Sequence, residues 1–176
     1  MRILPLLAAV ALVLAAAPAL ADSRIATAGP TAAPLGLQIF CMRSPADCAA
    51  GPEVQVLLTE DALGALESVN RAVNAAIRPQ LRATQVWELG ARQGDCKDYA
   101  MNKRAALLAR GFPAGALRLA IGHTAGGEGH AVLVVRTSAG DFVLDNLTDR
   151  ILPYGETGHT LIAMASNDPR HWVSVR

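Results

Sequence analysis

Two periodicities follow one another along this chain, and their order constrains the fold more than any other feature. Between Thr59 and Arg110 apolar residues recur at helical spacing, whereas beyond Pro113 they gather in short β-branched runs. Helices first and strands later do not make the alternating units of a parallel sheet. The pattern predicts an α+β domain with an antiparallel sheet. Thr59 caps the first helix, Glu60 and Asp61 occupy its first turn, and Leu63, Leu66, Val69, Val73 and Ile77 share one face before Pro79 stops it. Asp95 caps a second helix over residues 96–110, with Gly111 at its C′ position and Pro113 beyond. Residues 116–121, 130–136 and 142–146 read as strands, the last two joined by a Thr-Ser-Ala-Gly-Asp hairpin signal. Residues 80–94 connect the helices and carry Trp87, and residues 122–129 form a glycine-rich loop.

The front of the chain has a different character. Residues 3–21 contain no charged or hydrogen-bonding side chain, follow Arg2, and close on Ala19-Leu20-Ala21. A positive start, an apolar centre and a small-x-small end predict a signal peptide over residues 1–21, cleaved after Ala21, and hence a periplasmic or secreted protein. The competing reading is an uncleaved membrane anchor, because the run nearly spans a bilayer. Asp22 rather than Cys follows the cut, so no lipid anchor is expected, and no second membrane span follows. Residues 22–34, rich in Ala, Gly, Pro and Thr, read as a flexible linker, and residues 35–176 as one domain. Losing Arg2 takes the net charge from +1 to zero. Without a basic tract, nucleic acid and anionic membranes are excluded as main partners.

The chain has 3 cysteines, so in an oxidising compartment one stays unpaired. Cys41 and Cys48 flank a segment with Pro45 that reads as a loop, and a short loop brings two thiols within bonding distance. A Cys41–Cys48 disulfide leaves Cys96 as the odd thiol.

Cys96 falls at the first turn of the second helix, where free N–H groups and the dipole favour a thiolate nucleophile. His130 opens a strand and Asp145 lies on its hairpin partner, so the three make a candidate Cys-His-Asp triad. His130 and Asp145 share a face when the turn has an even number of residues. A Thr137-Ser138 turn places them opposite, Ser138-Ala139 leaves them diagonal, and Ala139-Gly140 separates them by four residues, roughly 13 Å at about 3.3 Å per residue. Each member also has an ordinary reading: a packed thiol, a structural histidine, and an aspartate that ends a strand.

The stretches Gly94-Asp-Cys-Lys-Asp-Tyr-Ala100 with Lys103, Gly127-Glu-Gly-His-Ala-Val132 and Gly140-Asp-Phe-Val-Leu-Asp-Asn-Leu147 resemble the bacterial transglutaminase-like cysteine proteinases, the family of a periplasmic protease that releases biofilm adhesins. Phe40-Cys41 with Cys48, Val73-Asn74, Ile77-Arg78-Pro79, Ile151-Leu-Pro-Tyr154 and Trp172-Val173 extend the resemblance over most of residues 35–175. It implies a papain-like, transglutaminase-like core in which the helix bearing the cysteine packs on an antiparallel sheet. It also implies Cys96 as nucleophile, His130 as general base and then acid, and Asp145 as orienting carboxylate. The partners it implies are a periplasmic or surface protein substrate and a regulatory protein of the inner membrane.

Two departures from that pattern bear on function. Many members carry Asp-Cys-Glu and use both carboxylates for calcium, whereas here Asp95 is followed, past Cys96, by Lys97. A cation there removes charge and a hard oxygen donor, so calcium is doubtful as a cofactor. Asp98 is either a replacement ligand or a helix-start carboxylate. The segment between Pro79 and Gly94 is also shorter than usual. Trp87 within it either lines the cleft and donates its indole N–H to an oxyanion or anchors the segment by packing. His123 reads as an exposed loop residue, and His159 and His171 have no partner motif. The resulting expectation is an exported thiol hydrolase that cleaves an amide bond through an acyl-enzyme. The alternatives are an amine-transferring transglutaminase and a catalytically silent binding module.

Overall fold

A computed structural model describes residues 24–82 and 84–176. The predicted signal peptide lies outside the described residues. Among those described, no helix is long and apolar enough to cross a membrane. The helices are α1 (Leu35–Arg43), α2 (Glu60–Ala76) and α3 (Cys96–Ala109). The strands are β1 (Thr27–Thr31), β2 (Arg78–Pro79), β3 (Gln93–Gly94), β4 (Leu117–His123), β5 (Gly129–Thr137), β6 (Gly140–Leu144), β7 (Leu152–Pro153), β8 (Thr160–Ala165) and β9 (Trp172–Val175). Seven of them form one antiparallel sheet in the order β1-β9-β8-β4-β5-β6-β7, and β2 and β3 make a small parallel pair. The α+β architecture is therefore as expected.

Local chemistry explains both long helices. Thr59 Oγ1 accepts from Ala62 N at 3.1 Å to open α2. Asp95 and Asp98 open α3 as a capping box. At the other end of α3, Phe112 N reaches Leu107 O at 3.1 Å and Gly111 N reaches Leu108 O at 2.9 Å. That is a Schellman closure, and Gly111 supplies it with φ +84°.

Alternation along the central strands divides the core. Leu66 and Val69 of α2 and Met101 and Leu107 of α3 pack with Leu119, Leu133 and Val135 on one face of the sheet. Ala120, Val132, Val134 and Val143 face the opposite way and pack with Ile25, Leu161 and Met164. Each of the two faces thus has its own apolar cluster.

Two local expectations are corrected. The segment expected to be a flexible linker, residues 22–34, is ordered where it is described. Strand β1 pairs with β9 at the sheet edge, Ile25 is 4% exposed, and Ile25 N donates to Asp141 Oδ2 at 2.9 Å. Its partners lie far along the chain, so local composition carried no trace of the pairing, and an edge strand tolerates Pro30. The segment around Cys41, expected to be a loop, is largely helical. Cys41 lies in α1 and Cys48 in a short 3-10 turn, and the disulfide joins them. The helix rests on the burial of Leu37 and Cys41 rather than on a periodic apolar face.

If Ile25 anchors the edge strand, Ile25→Ala should cost about 2–5 kcal/mol of stability in urea denaturation. A cost below about 0.5 kcal/mol would show that the segment contributes little.

Candidate active site

The β5–β6 turn decides whether the proposed pair can meet. Thr137 pairs with Gly140, leaving Ser138 and Ala139 as the turn, and Gly140 takes φ +111°. This is the diagonal register of the three considered. Asp145 lies one residue beyond the end of β6, on the same alternation as Val143, and His130 is on that of Val132 and Val134. His130 Nε2 bonds Asp145 Oδ1 at 2.7 Å. Both side chains are nearly enclosed, 7% and 5% exposed.

Cys96, at the first position of α3, lines the same two cavities as this imidazole and is close enough to act on its charge. Because Nε2 is committed to Asp145, Nδ1 is left for the sulfur. Cys96 packs against the helix-side cluster, so the site forms where the helical layer meets the ends of the central strands. Burial disfavours a charged His130, but the hydrogen bonds and charges of Asp145 and Cys96 outweigh it and push the imidazole up to about 9. Burial likewise opposes the Asp145 carboxylate, yet His130, His159 and the N–H of Leu147 hold its carboxyl well below the usual range. Among the described residues Cys96 is the free cysteine, since Cys41 and Cys48 are bonded to each other.

Two cavities meet at this pair. One, of about 330 Å³, is lined by Trp87, Lys97, Ile121, His123 and Ile162 together with Cys96 and His130. The other, of about 420 Å³, is lined by Leu81, Gly94, Tyr99, Glu128, Asn146 and Leu147, again with Cys96 and His130. The indole Nε1 of Trp87 is buried in the first wall with no hydrogen-bond partner among the described residues. His123 is exposed at the end of β4 and borders the same cavity.

His159 is the residue that sequence reading left without a role. Its Nε2 bonds Asp145 Oδ2 at 2.7 Å, so one carboxylate serves two histidines. The ligating atoms of His130, Asp145 and His159 lie within 4.8 Å of one another, and these two hydrogen bonds account for that closeness. No local pattern marked it, because the turn before β8 brings it to Asp145 from a separate part of the chain. Lys103, part of the motif around Cys96, is fully buried. Burial pushes its ammonium down to about 7 against the pull of Asp145 and Asp149.

The carboxylates weighed for calcium are engaged by the protein itself. Asp95 Oδ2 lies 2.6 Å from Lys97 Nζ, and its Oδ1 accepts from Lys97 N at 3.2 Å. Asp98 points inward: Oδ2 accepts from Asp95 N and Oδ1 from Glu88 N, each at 3.1 Å, with Arg82 Nε 3.5 Å away. The ammonium stands where a hard cation would need oxygen, so this donor set does not fit calcium.

The sequence pattern described as bacterial transglutaminase-like cysteine proteinase BTLCP matches residues 27–176. The chain belongs to that family. The family is one of cysteine proteinases, and the matched range includes β1. No curated protein sequence matches. Solved structures of Legionella pneumophila LapG share the fold. The calcium-bound form is 24% identical with a TM-score of 0.53, over 57% of this chain and 63% of that one. The EGTA-treated form is 23% identical with a TM-score of 0.51, over 57% and 61%. A further LapG structure is 22% identical with a TM-score of 0.54, over 61% and 66%. The chain thus spans less than two thirds of each LapG chain.

By NMR the His130 ring should titrate near 9, and Asp145→Asn should bring the midpoint down toward the ordinary 6.5. Because the folded value is raised, the stability tied to the His130 proton is complete below about 6.5 and is lost as pH rises to about 9. A wild-type midpoint near 6.5 would mean that the hydrogen-bonded pair does not form in solution.

Proposed function

We propose that the proteinase is an exported thiol hydrolase that cleaves an amide bond in a protein substrate through Cys96, His130 and Asp145. The observation that carries this reading is His130 itself, bound to Asp145 at 2.7 Å and sharing with the free thiol of Cys96 the line where two cavities meet. An extended chain lying across the pair would place residues on both sides of its scissile bond in those cavities.

The Cys96 thiolate attacks the carbonyl carbon, and a sulfur–carbon bond forms. The N–H of Cys96 stands at a helix position without an intrahelical acceptor, and the Trp87 indole N–H has no partner among the described residues. Together they are the donors for the developing oxyanion. His130 gives its proton to the leaving amine as the carbon–nitrogen bond breaks, leaving an acyl-enzyme. The imidazole then takes a proton from water, whose oxygen attacks the thioester and releases Cys96 as thiolate. Asp145 keeps the imidazole oriented and offsets its charge in both halves.

The reaction proceeds without calcium, because the Lys97 ammonium already neutralises Asp95 and Asp98 is spent on the helix cap. EGTA should therefore leave both activity and melting temperature of the wild type unchanged. Lys97→Glu, which restores an oxygen donor, should gain a calcium-dependent rise in melting temperature. Loss of wild-type activity in EGTA would overturn the calcium-independent reading.

A peptide library digested by the proteinase should acquire new N-termini that disappear with Cys96→Ala and fall about 10²–10⁴-fold with His130→Ala. Incorporation of an added amine in place of cleavage would make the chain a transglutaminase. No new termini, together with a thiol that resists iodoacetamide at about pH 6, would make it a binding module.

A further inference from the structure

We infer that His159 is a positioning residue of the site, holding the Asp145 carboxylate so that Oδ1 is presented to His130. This rests on the triad reading above. A carboxylate can turn about its Cβ–Cγ bond, and donors on a single oxygen would leave it free to exchange its two oxygens. Asp145 has donors on both. Oδ1 takes His130 Nε2 at 2.7 Å and Leu147 N at 3.1 Å, while Oδ2 takes His159 Nε2 at 2.7 Å. The two rings also meet edge to face, with centroids 5.2 Å apart and planes at 62°, so His159 supports the plane of His130 as well as its partner.

The hydrogen bonding of His159 separates this role from simple packing. Its side chain is 9% exposed, and its Nδ1 is buried with no partner among the described residues. A histidine kept only to fill space would be expected to pair both nitrogens or to be apolar. Among the described residues His159 makes one side-chain hydrogen bond, and that bond goes to Asp145. Because the carboxylate only accepts, Nε2 carries the proton of that bond, while Nδ1 is buried. The backbone is built to hold the ring there: Thr157 Oγ1 donates to Tyr154 O at 2.8 Å and accepts from His159 N at 3.2 Å, and Leu161 N donates to the Tyr154 hydroxyl at 3.2 Å. The working unit is thus Cys96–His130–Asp145–His159, with the fourth member supplied from the turn before β8.

The test compares the full chain with His159→Leu, which keeps bulk without a donor, and His159→Gln, whose amide replaces the Nε2 donor. The readouts are the rate of Cys96 alkylation by iodoacetamide at fixed pH and the downfield proton resonance of the His130–Asp145 hydrogen bond. Melting curves confirm the fold. The Leu variant should react about tenfold more slowly or worse, the scale seen when an outer hydrogen-bond partner is removed. It should also lose or shift the resonance, and Gln should restore both. Should the Leu variant not fold, the Gln variant decides alone: near-wild-type rate and resonance support the role, and their loss overturns it. Wild-type values in a folded Leu variant, or equal loss in Leu and Gln, would also overturn it. If wild-type Cys96 does not react, or reacts independently of His130, the triad reading falls and this role with it. If wild type passes and only the His159 variants are silent, the triad stands and the inference alone fails.

Discussion

The register of the β5–β6 hairpin is the constraint on which the site depends. A turn of Ser138 and Ala139 places Asp145 diagonal to His130 on one face, and the sheet twist brings their polar atoms to 2.7 Å. Side chains alternate along a strand, so a slip of one residue would send the carboxylate to the helix side and leave the imidazole without its partner. The same slip would invert Val143 and Leu144 between two apolar clusters, so core packing and site geometry enforce one register together.

The start of α3 carries three roles in four residues. Asp95 and Asp98 close the capping box, Cys96 presents its sulfur to His130, and Lys97 neutralises Asp95. Asp98 also ties the segment bearing Trp87 to the helix through Glu88 N. An ammonium on a side chain is always present at its site, whereas a bound metal depends on its concentration. Replacing a carboxylate by Lys97 is therefore more than the loss of one ligand.

Much of this was legible in residue order. The capped helices, the hairpin and the α+β class followed from spacing and end signals, because those signals act between near neighbours. Cys96, His130 and Asp145 were legible as candidates because each sits at an element boundary that such signals define. The flexible-linker and loop expectations failed for different reasons: β1 needs β9, which lies far along the chain, and α1 has no periodic apolar face to announce it and rests on the burial of Leu37 and Cys41. His159 went unassigned because no motif around it marks a bond to Asp145, and the commitment of Asp98 to a cap could be weighed but not decided.

By itself the sequence determined the two long helices, the central hairpin, the odd cysteine and the chemical types available to the site, since these depend on local propensity and on counting. Only the tertiary structure decided which of three turn registers is used, that one buried carboxylate serves two histidines, and that Lys97 occupies the carboxylate a metal would need. The third turns on how two side chains at the start of α3 point, and the first two on distances of a few ångströms between elements that meet in the fold. Such distances are set by how two apolar faces pack around the sheet, which no local pattern encodes.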